Sequence, residues 1–235
     1  MRVLILCGGR GVRAWPATAE VPKPMLQVGD RPMLYHVMDI YARHGVRDFV
    51  LAAGYRYQAI EAYRSNWPSD WKVDVVDTGE DTDTGGRVLA CLDRVGETFH
   101  ATYGDGVGNI DITALAARHE GHGGAATVTV VPLPSQYGTL VIDDTGRVTD
   151  FREKPVLHDH LINAGFFMFN RDKLSACADA GSSLERDILP TLGSRDALFV
   201  YRHDGFWKSA DTQKDVSDLD ALARREDPPW QATGS

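Results

Sequence analysis

A chain of 235 residues that is 43% hydrophobic can bury one substantial α/β core and needs no disulfides to hold it. Its formal net charge of −8 argues against a nucleic-acid partner but not against a small anionic ligand, because a few local cations can dominate a cleft inside a negative global field. Cys7, Cys91 and Cys177 share no metal or redox spacing, and the apolar run Val3 to Cys7 is too short for a signal peptide or a membrane span, so the expectation is a reduced, cytoplasmic protein with no membrane partner.

Through the first half, runs rich in Val, Ile and Phe alternate with helical patterns, which predicts βαβ units and a largely parallel sheet. VLILC (Val3 to Cys7) reads as the first strand, and Pro32 as the first residue of a helix on which Met33, Leu34, Val37, Ile40 and Tyr41 recur until Gly45 stops it. DFVLAAG (Asp48 to Gly54), KVDVVD (Lys72 to Asp77) and TFHATY (Thr98 to Tyr103) read as further strands, with helices predicted from about Tyr57 to Ser65 and from Gly86 to Arg94. The second half changes character. ATVTVVP, TLVIDDTGRVTDF and INAGFFMFN lie close in sequence, with Asp144-Thr145-Gly146 as a tight turn, so antiparallel strands are expected to join a mixed, mainly parallel, Rossmann-like sheet flanked by helices. Helices near Leu184 to Leu192 and Thr212 to Glu226 close the chain. With no repeat and no long linker, 1–235 reads as a single domain.

CGGRGVRAWPATAEVPKPML (Cys7 to Leu26) follows the first strand with glycines, prolines and the cations Arg10, Arg13 and Lys23. A glycine-rich turn there sets backbone N–H groups at the carboxyl edge of the sheet, where phosphates bind in open α/β folds. Gly9, Gly11 and Ala14 match G-x-G-x-x-A, but Pro16, Pro22 and Pro24 forbid the regular helix that a dinucleotide fingerprint must open. No G-K-[ST] follows. An extended phosphate-gripping loop remains, with a solvated basic surface loop as its bland rival. Asp105 falls in a Gly-Asp-Gly frame just past the strand Thr98 to Tyr103, at the same sheet edge. Asp211 precedes a helix and reads, on sequence alone, first as an N-cap. His119 and His122, like His158 and His160, lack a metal spacing and read as surface histidines.

GGRGVR (Gly8 to Arg13) followed by PKPM (Pro22 to Met25) resembles the signature of the sugar-1-phosphate nucleotidyltransferases. VDTGEDTDTGGR, TYGDGV, FREKP, NAGFF, GFWKSADT and a final PPW resemble the glucose-1-phosphate cytidylyltransferase branch, in the right order from Arg2 to about Trp230. The resemblance implies Mg²⁺-dependent transfer of a nucleotidyl group, with CTP favoured, from a nucleoside triphosphate to a sugar 1-phosphate, releasing pyrophosphate. It implies that Asp105 and Asp211 hold the Mg²⁺, a use that reverses the N-cap reading of Asp211. Gly8, Gly9 and Gly11 would cradle the triphosphate, Arg13 would neutralise the leaving pyrophosphate, and Lys23 would lie against the reacting phosphates. Gly85, Gly86 and Arg87 would meet the base and nearby phosphate. Gly138, Glu153 and Asn163 would meet sugar hydroxyls, Lys154 the sugar phosphate, and Trp207 would line that side or serve as core. Relatives that assemble make a homo-oligomer the expectation.

Val12 and Ala14 depart from the family's usual Thr and Leu, and the connection from Tyr63 to Asp77 is short for the cytidylyltransferase branch, which bears on the base. GTP, dTTP or UTP with an unusual sugar or cyclitol phosphate is the alternative within the same chemistry. A non-catalytic nucleotide-sugar-binding module is the alternative of another class, disfavoured by the joint presence of Arg13, Lys23, Asp105 and Asp211. A nicotinamide oxidoreductase is disfavoured by the prolines after Ala14.

Overall fold

The computed structural model describes residues 1–232, and of Arg13 the backbone alone. Its strands in chain order are β1 (Val3–Leu6), β2 (Gln27–Val28), β3 (Arg31–Pro32), β4 (Asp48–Ala53), β5 (Lys72–Asp77), β6 (Thr98–Tyr103), β7 (Gly106–Gly108), β8 (Ala126–Pro134), β9 (Thr139–Ile142), β10 (Val148–Arg152), β11 (Val156–Asn170), β12 (Leu198–Arg202) and β13 (Trp207–Ser209). The helices are α1 (Met33–Arg43), α2 (Tyr57–Ala62), α3 (Thr84–Leu89), α4 (Ile112–Glu120), α5 (Arg171–Ser175), α6 (Leu189–Ser194) and α7 (Gln213–Ala223), with a π-helical turn at Leu184–Ile188.

Seven strands form the central sheet in the order β12-β8-β11-β6-β1-β4-β5. β1 lies parallel to β4 and β6, and β4 parallel to β5, while β11 runs antiparallel to both β6 and β8. The sheet is therefore mixed and mainly parallel, as the alternation of apolar runs predicts. β1 is buried on both faces because its side chains alternate between two cores. Val3 and Ile5 join the core under α1, α4 and α7, and Leu4 and Leu6 the one that includes Val88, Leu184 and Ile188. The parallel strands bring Leu6, Ala53, Asp77 and Tyr103 to one edge, and the loops that follow them share it.

Local signals hold with small shifts. Pro32 is the N-cap of α1 rather than its first turn, and Gly45, at φ 83°, reverses the chain after it. α3 starts at Thr84, earlier than the predicted Gly86, and ends at Leu89 before a 3₁₀ turn at Leu92–Arg94. α4 is a helix that the sequence pattern does not announce. Among its residues only Ile112, Leu115 and His119 are buried, too few for a clear apolar stripe, and Asp111 caps it by accepting from the Ala114 N–H at 2.9 Å. The hairpin expected around Asp144 to Gly146 forms, but β9 and β10 make a separate two-stranded ribbon with Leu140, Val141, Ile142, Val148 and Phe151 exposed.

The short connection from Tyr63 to Asp77 packs its own aromatics. Tyr35 stacks on Trp71 with ring centroids 5.2 Å apart, and Tyr63 meets Trp67 edge-on at 4.7 Å. His119 and His122 are not the surface pair that their spacing suggests. His119 is buried, and both rings bond the Thr127 hydroxyl, at 2.9 and 2.7 Å, because the helix end folds back onto β8. The three cysteines are free thiols, and no helix among the described residues is long and apolar enough to cross a membrane.

Candidate active site

The loop after β1 turns at the sheet edge through Gly8, Gly9 and Gly11, and the prolines limit the rest to 3₁₀ turns at Val12–Ala14 and Lys23–Met25. The glycines serve different ends. A Cβ on Gly9 would meet nothing within 4 Å, so that stretch of backbone is open to a ligand. Gly11 is held at φ 60°, where a side chain is disfavoured, and a Cβ there would stand 2.8 Å from the Lys23 Cβ. Gly8 is small for Arg87, whose Nη1 would lie 2.1 Å from an added Cβ.

Arg87 is only 3% exposed. Its guanidinium donates to the carbonyls of Gly8 at 3.2 Å, Ala53 at 3.1 Å, Gly79 at 2.7 Å and Glu80 at 3.1 Å, and to the Thr78 hydroxyl at 2.6 Å. The planar fork thus ties together the loops after β1, β4 and β5. The structure places Arg87 beneath the cleft as a clamp on backbone, rather than as a side chain reaching for a base. Gly85 and Gly86 stand apart from the cleft lining. A Cβ on either would lie 2.5 Å from the Ser182 carbonyl or 2.4 Å from that of Ala180, so these glycines let α3 pack against the chain leading to the π-helical turn.

Lys23 is the centre of the site. Its ammonium is 2.7 Å from Asp105 Oδ2 and 3.0 Å from Asp211 Oδ1. Burial alone would lower the Lys23 ammonium, but the two carboxylates outweigh it and hold the group above its ordinary value. The β7–β13 ribbon makes this convergence possible. Gly106 pairs with Ser209, and the Ala210 N–H donates to the Asp105 carbonyl at 2.8 Å, so the residues flanking the ribbon meet. Asp211 is not the N-cap of α7. Thr212 takes that position in a capping box with Asp215, which leaves the Asp211 carboxylate for Lys23 and for the Ser209 hydroxyl, which donates at 2.9 Å.

Two pockets meet here. A cleft of about 480 Å³ is lined by Gly8 to Val12, Lys23, the acidic stretch Glu80 to Thr84, Arg87, Tyr103, Asp105 and Asp211. A second pocket of about 320 Å³ shares Tyr103, Asp105 and Asp211 and adds Asn163, Glu185 and Trp207. The Trp207 indole N–H is fixed by the Ala164 carbonyl at 2.8 Å, and the ring stands in the wall of the second pocket. The carboxylates of Asp105 and Asp211, both within 3.0 Å of the Lys23 ammonium at the edge of the cleft, are the kind of donor that suits Mg²⁺, which takes one or two carboxylates and completes its shell with phosphate oxygens and water. No group of three or more His, Cys, Asp or Glu residues able to hold a metal is present among the described residues.

Gly138, Glu153 and Lys154 are not brought to this pocket. They gather at the base of the β9–β10 ribbon, where Gly138 lies against the Phe151 ring and the Glu153 carboxylate, and the Glu153 and Lys154 side chains are 65% and 63% exposed. The Arg13 side chain lies outside the described residues. Ser209 and Tyr103 stand in the sequence only within the blocks GFWKSADT and TYGDGV, and Glu185 stands in no such block. Glu185 lies in GSSLERD (Gly181 to Asp187), which matches no motif, and its partners Tyr103 and Thr84 are remote in the chain.

A model of the nucleotidyl transferase family matches residues 2–223. A protein of Bacillus subtilis named as a probable glucose-1-phosphate cytidylyltransferase is 35% identical over 98% of this chain and 99% of its own length. The glucose-1-phosphate cytidylyltransferase of Salmonella typhi is similar at the same identity and coverage. The mannose-1-phosphate guanyltransferase of Saccharomyces cerevisiae is 33% identical over 100% of this chain and 69% of its own length. The crystal structure of HddC from Yersinia pseudotuberculosis shares the fold, with a TM-score of 0.74 at 22% identity over 94% of this chain and 98% of that one.

Proposed function

The chain belongs to the nucleotidyl transferase family, and from that premise we propose that it transfers a cytidylyl group from CTP to a sugar 1-phosphate with the help of Mg²⁺, as an enzyme of one domain spanning 1–235. The observation that carries the reading is the Lys23 ammonium between Asp105 and Asp211 at the junction of two pockets. A nucleotide in the larger cleft and a sugar phosphate in the smaller would bring their phosphates together at that junction. An oxygen of the sugar phosphate attacks the α-phosphorus, the bond to the bridging oxygen breaks, and pyrophosphate leaves with that electron pair.

The nucleophile is already an anion, so the chain has no proton to remove and its task is alignment and charge neutralisation. The backbone at Gly9 and Gly11 cradles the triphosphate. Lys23 lies against the reacting phosphates and Arg87 holds the loops that shape the cleft, while neutralising the departing pyrophosphate is the role this reading gives Arg13. Asp105 and Asp211 would hold the metal, which when bound supplies positive charge to the phosphate oxygens. Asn163 and Trp207 line the sugar side, and Gly138, Glu153 and Lys154, at the base of the β9–β10 ribbon, stand outside that lining. CTP is favoured because the cytidylyltransferases match along nearly their whole length. A cytoplasmic homo-oligomer belongs to the same reading, and sedimentation of the purified protein tests the assembly.

The test follows pyrophosphate release with Mg²⁺, glucose 1-phosphate and each of CTP, UTP, dTTP, GTP and ATP. Release with CTP above the others supports the reading, and release with another nucleotide alone overturns the base assignment. No release with these nucleotides and with mannose or galactose 1-phosphate as acceptors, together with no thermal stabilisation by any triphosphate, overturns the reaction.

A further inference from the structure

Tyr103 forms the partition between the two pockets, and it is fixed from three sides. Gly165, at φ 82°, has no side chain where a Cβ would stand 2.4 Å from the Tyr103 ring, so the ring lies flush against the bulged part of β11. Phe167 meets it edge-on with centroids 5.7 Å apart. Its hydroxyl donates to Glu185 Oε1. Glu185 is itself pinned, since Oε2 accepts from the Thr84 hydroxyl at 2.7 Å and from the Ser183 hydroxyl at 3.0 Å. Partial burial works to raise its pKa, but the donors from Tyr103, Thr84 and Ser183 prevail and hold Glu185 below the ordinary carboxylate range. A carboxylate can only accept, so the proton of this hydrogen bond is the phenol's and Tyr103 is the donor.

The direction of that bond has a consequence for the second pocket. With its proton directed at Glu185, the Tyr103 oxygen offers only lone pairs to anything else. Asn163 is oriented as well: its carbonyl oxygen accepts from the Gly165 N–H at 2.8 Å, and its amide donates a long hydrogen bond of 3.5 Å to the Tyr103 oxygen, which leaves its second N–H and one Tyr103 lone pair for a ligand. An N–H donor and an oxygen acceptor thus stand side by side in the wall. That pair matches a single hydroxyl, which accepts from Asn163 and donates to Tyr103.

Resting on the nucleotidyltransferase reading, we propose that Glu185 is a positioning residue which, through Tyr103, sets the sugar pocket to receive a hydroxyl group of the sugar phosphate. Glu185 does not touch the sugar in this arrangement. It orients the group that does, and Thr84, which lines the nucleotide cleft, anchors it from the other side.

The experiment is a double-mutant cycle of Y103F and E185Q, with KM measured separately for glucose 1-phosphate and for the nucleotide. Y103F removes the accepting oxygen, and E185Q lets a side-chain amide donate to Tyr103 and reverse its hydroxyl. Each single variant should raise the sugar-phosphate KM by about 3- to 10-fold, the scale of one neutral hydrogen bond, and leave the nucleotide KM within about twofold. The double variant should be no worse than Y103F alone, because Glu185 acts through the hydroxyl that Y103F has already removed. An unchanged sugar-phosphate KM in Y103F, or additive losses in the double variant, overturns the proposal while the nucleotidyltransferase reading stands. If E185Q proves unstable, E185D, with its acceptor one methylene back, takes its place in the cycle and has to show the same non-additivity. Wild type inert with every nucleotide and acceptor pair would overturn the underlying reading and the proposal with it.

Discussion

Replacing Lys23 with methionine keeps most of the side-chain volume and removes the charge between Asp105 and Asp211. Breaking one partner out of a sealed ion pair costs about 3–5 kcal/mol. Here the Lys23 side chain is 9% exposed, but those of Asp105 and Asp211 are 30% and 36% exposed and can take up water when the ammonium is gone. Solvent screening reduces the cost to roughly 1–2 kcal/mol, a fall in Tm of about 2–8 °C for a chain of this size. The stabilisation is not sensitive to pH in the working range. A lysine raised above its ordinary value keeps that contribution at every pH below about 10.4 and loses it only as pH climbs through the raised value. The effect on chemistry should be larger, because Lys23 faces the point where the two pockets meet. Loss of one donor aimed at transition-state charge removes roughly 10²–10³ in turnover. The assay pairs a thermal melt with kcat for pyrophosphate release at saturating substrates. Turnover within threefold of wild type, combined with a Tm more than about 10 °C lower, would refute the argument and make Lys23 a structural counter-ion for two carboxylates.

Asp105→Asn leaves Lys23 its bond to Asp211, so the variant should melt within about 3 °C of wild type and lose at least about 100-fold in turnover; full activity would remove the metal assignment. Arg87→Ala should destabilise by roughly 3 kcal/mol or more, about 6–12 °C in Tm, by leaving carbonyls of three loops unpaired. Arg87→Lys should lie between, since an ammonium cannot reproduce the fork. A normal melt with only the nucleotide KM raised would make Arg87 a ligand contact. His100 tests the buried side of the sheet: burial, with help from nearby positive charge, lowers its pKa to about 4. The unfolded chain therefore binds its proton first, and stability that is full above about pH 6.5 should fall as pH drops toward 4, by at most about 3 kcal/mol. Urea titrations of wild type and His100→Leu at pH 7 and pH 5 check this, and an unchanged pH dependence in the variant would rule His100 out as a source.

The strands were legible in the sequence because each is a local statement. Val3 to Leu6, Asp48 to Ala53 and Thr98 to Tyr103 are short, largely apolar runs that the sheet buries on both faces, and Lys72 to Asp77 alternates polar and apolar residues as the partly buried edge strand. The loop from Gly8 to Lys23 was legible for the same reason, since its prolines forbid a helix whatever surrounds them. The short range of those signals also marks their limit. Nothing local to Asp211 distinguishes a cap from a site carboxylate; that was decided when Thr212 took the cap and β13 paired with β7 beside Asp105. The glycines at 85 and 86 look like ligand contacts in the sequence, yet what they accommodate is the chain at Ala180 and Ser182, which only the packing of α3 brings near. Glu185 carries no motif, and its place in the site follows from the meeting of Thr84, Tyr103 and the π-helical turn across the fold. Backbone preference and hydrophobic period act over a few residues and therefore survive in the sequence, whereas the convergence of charges and hydroxyls depends on contacts between distant segments, and those exist only once the sheet has formed.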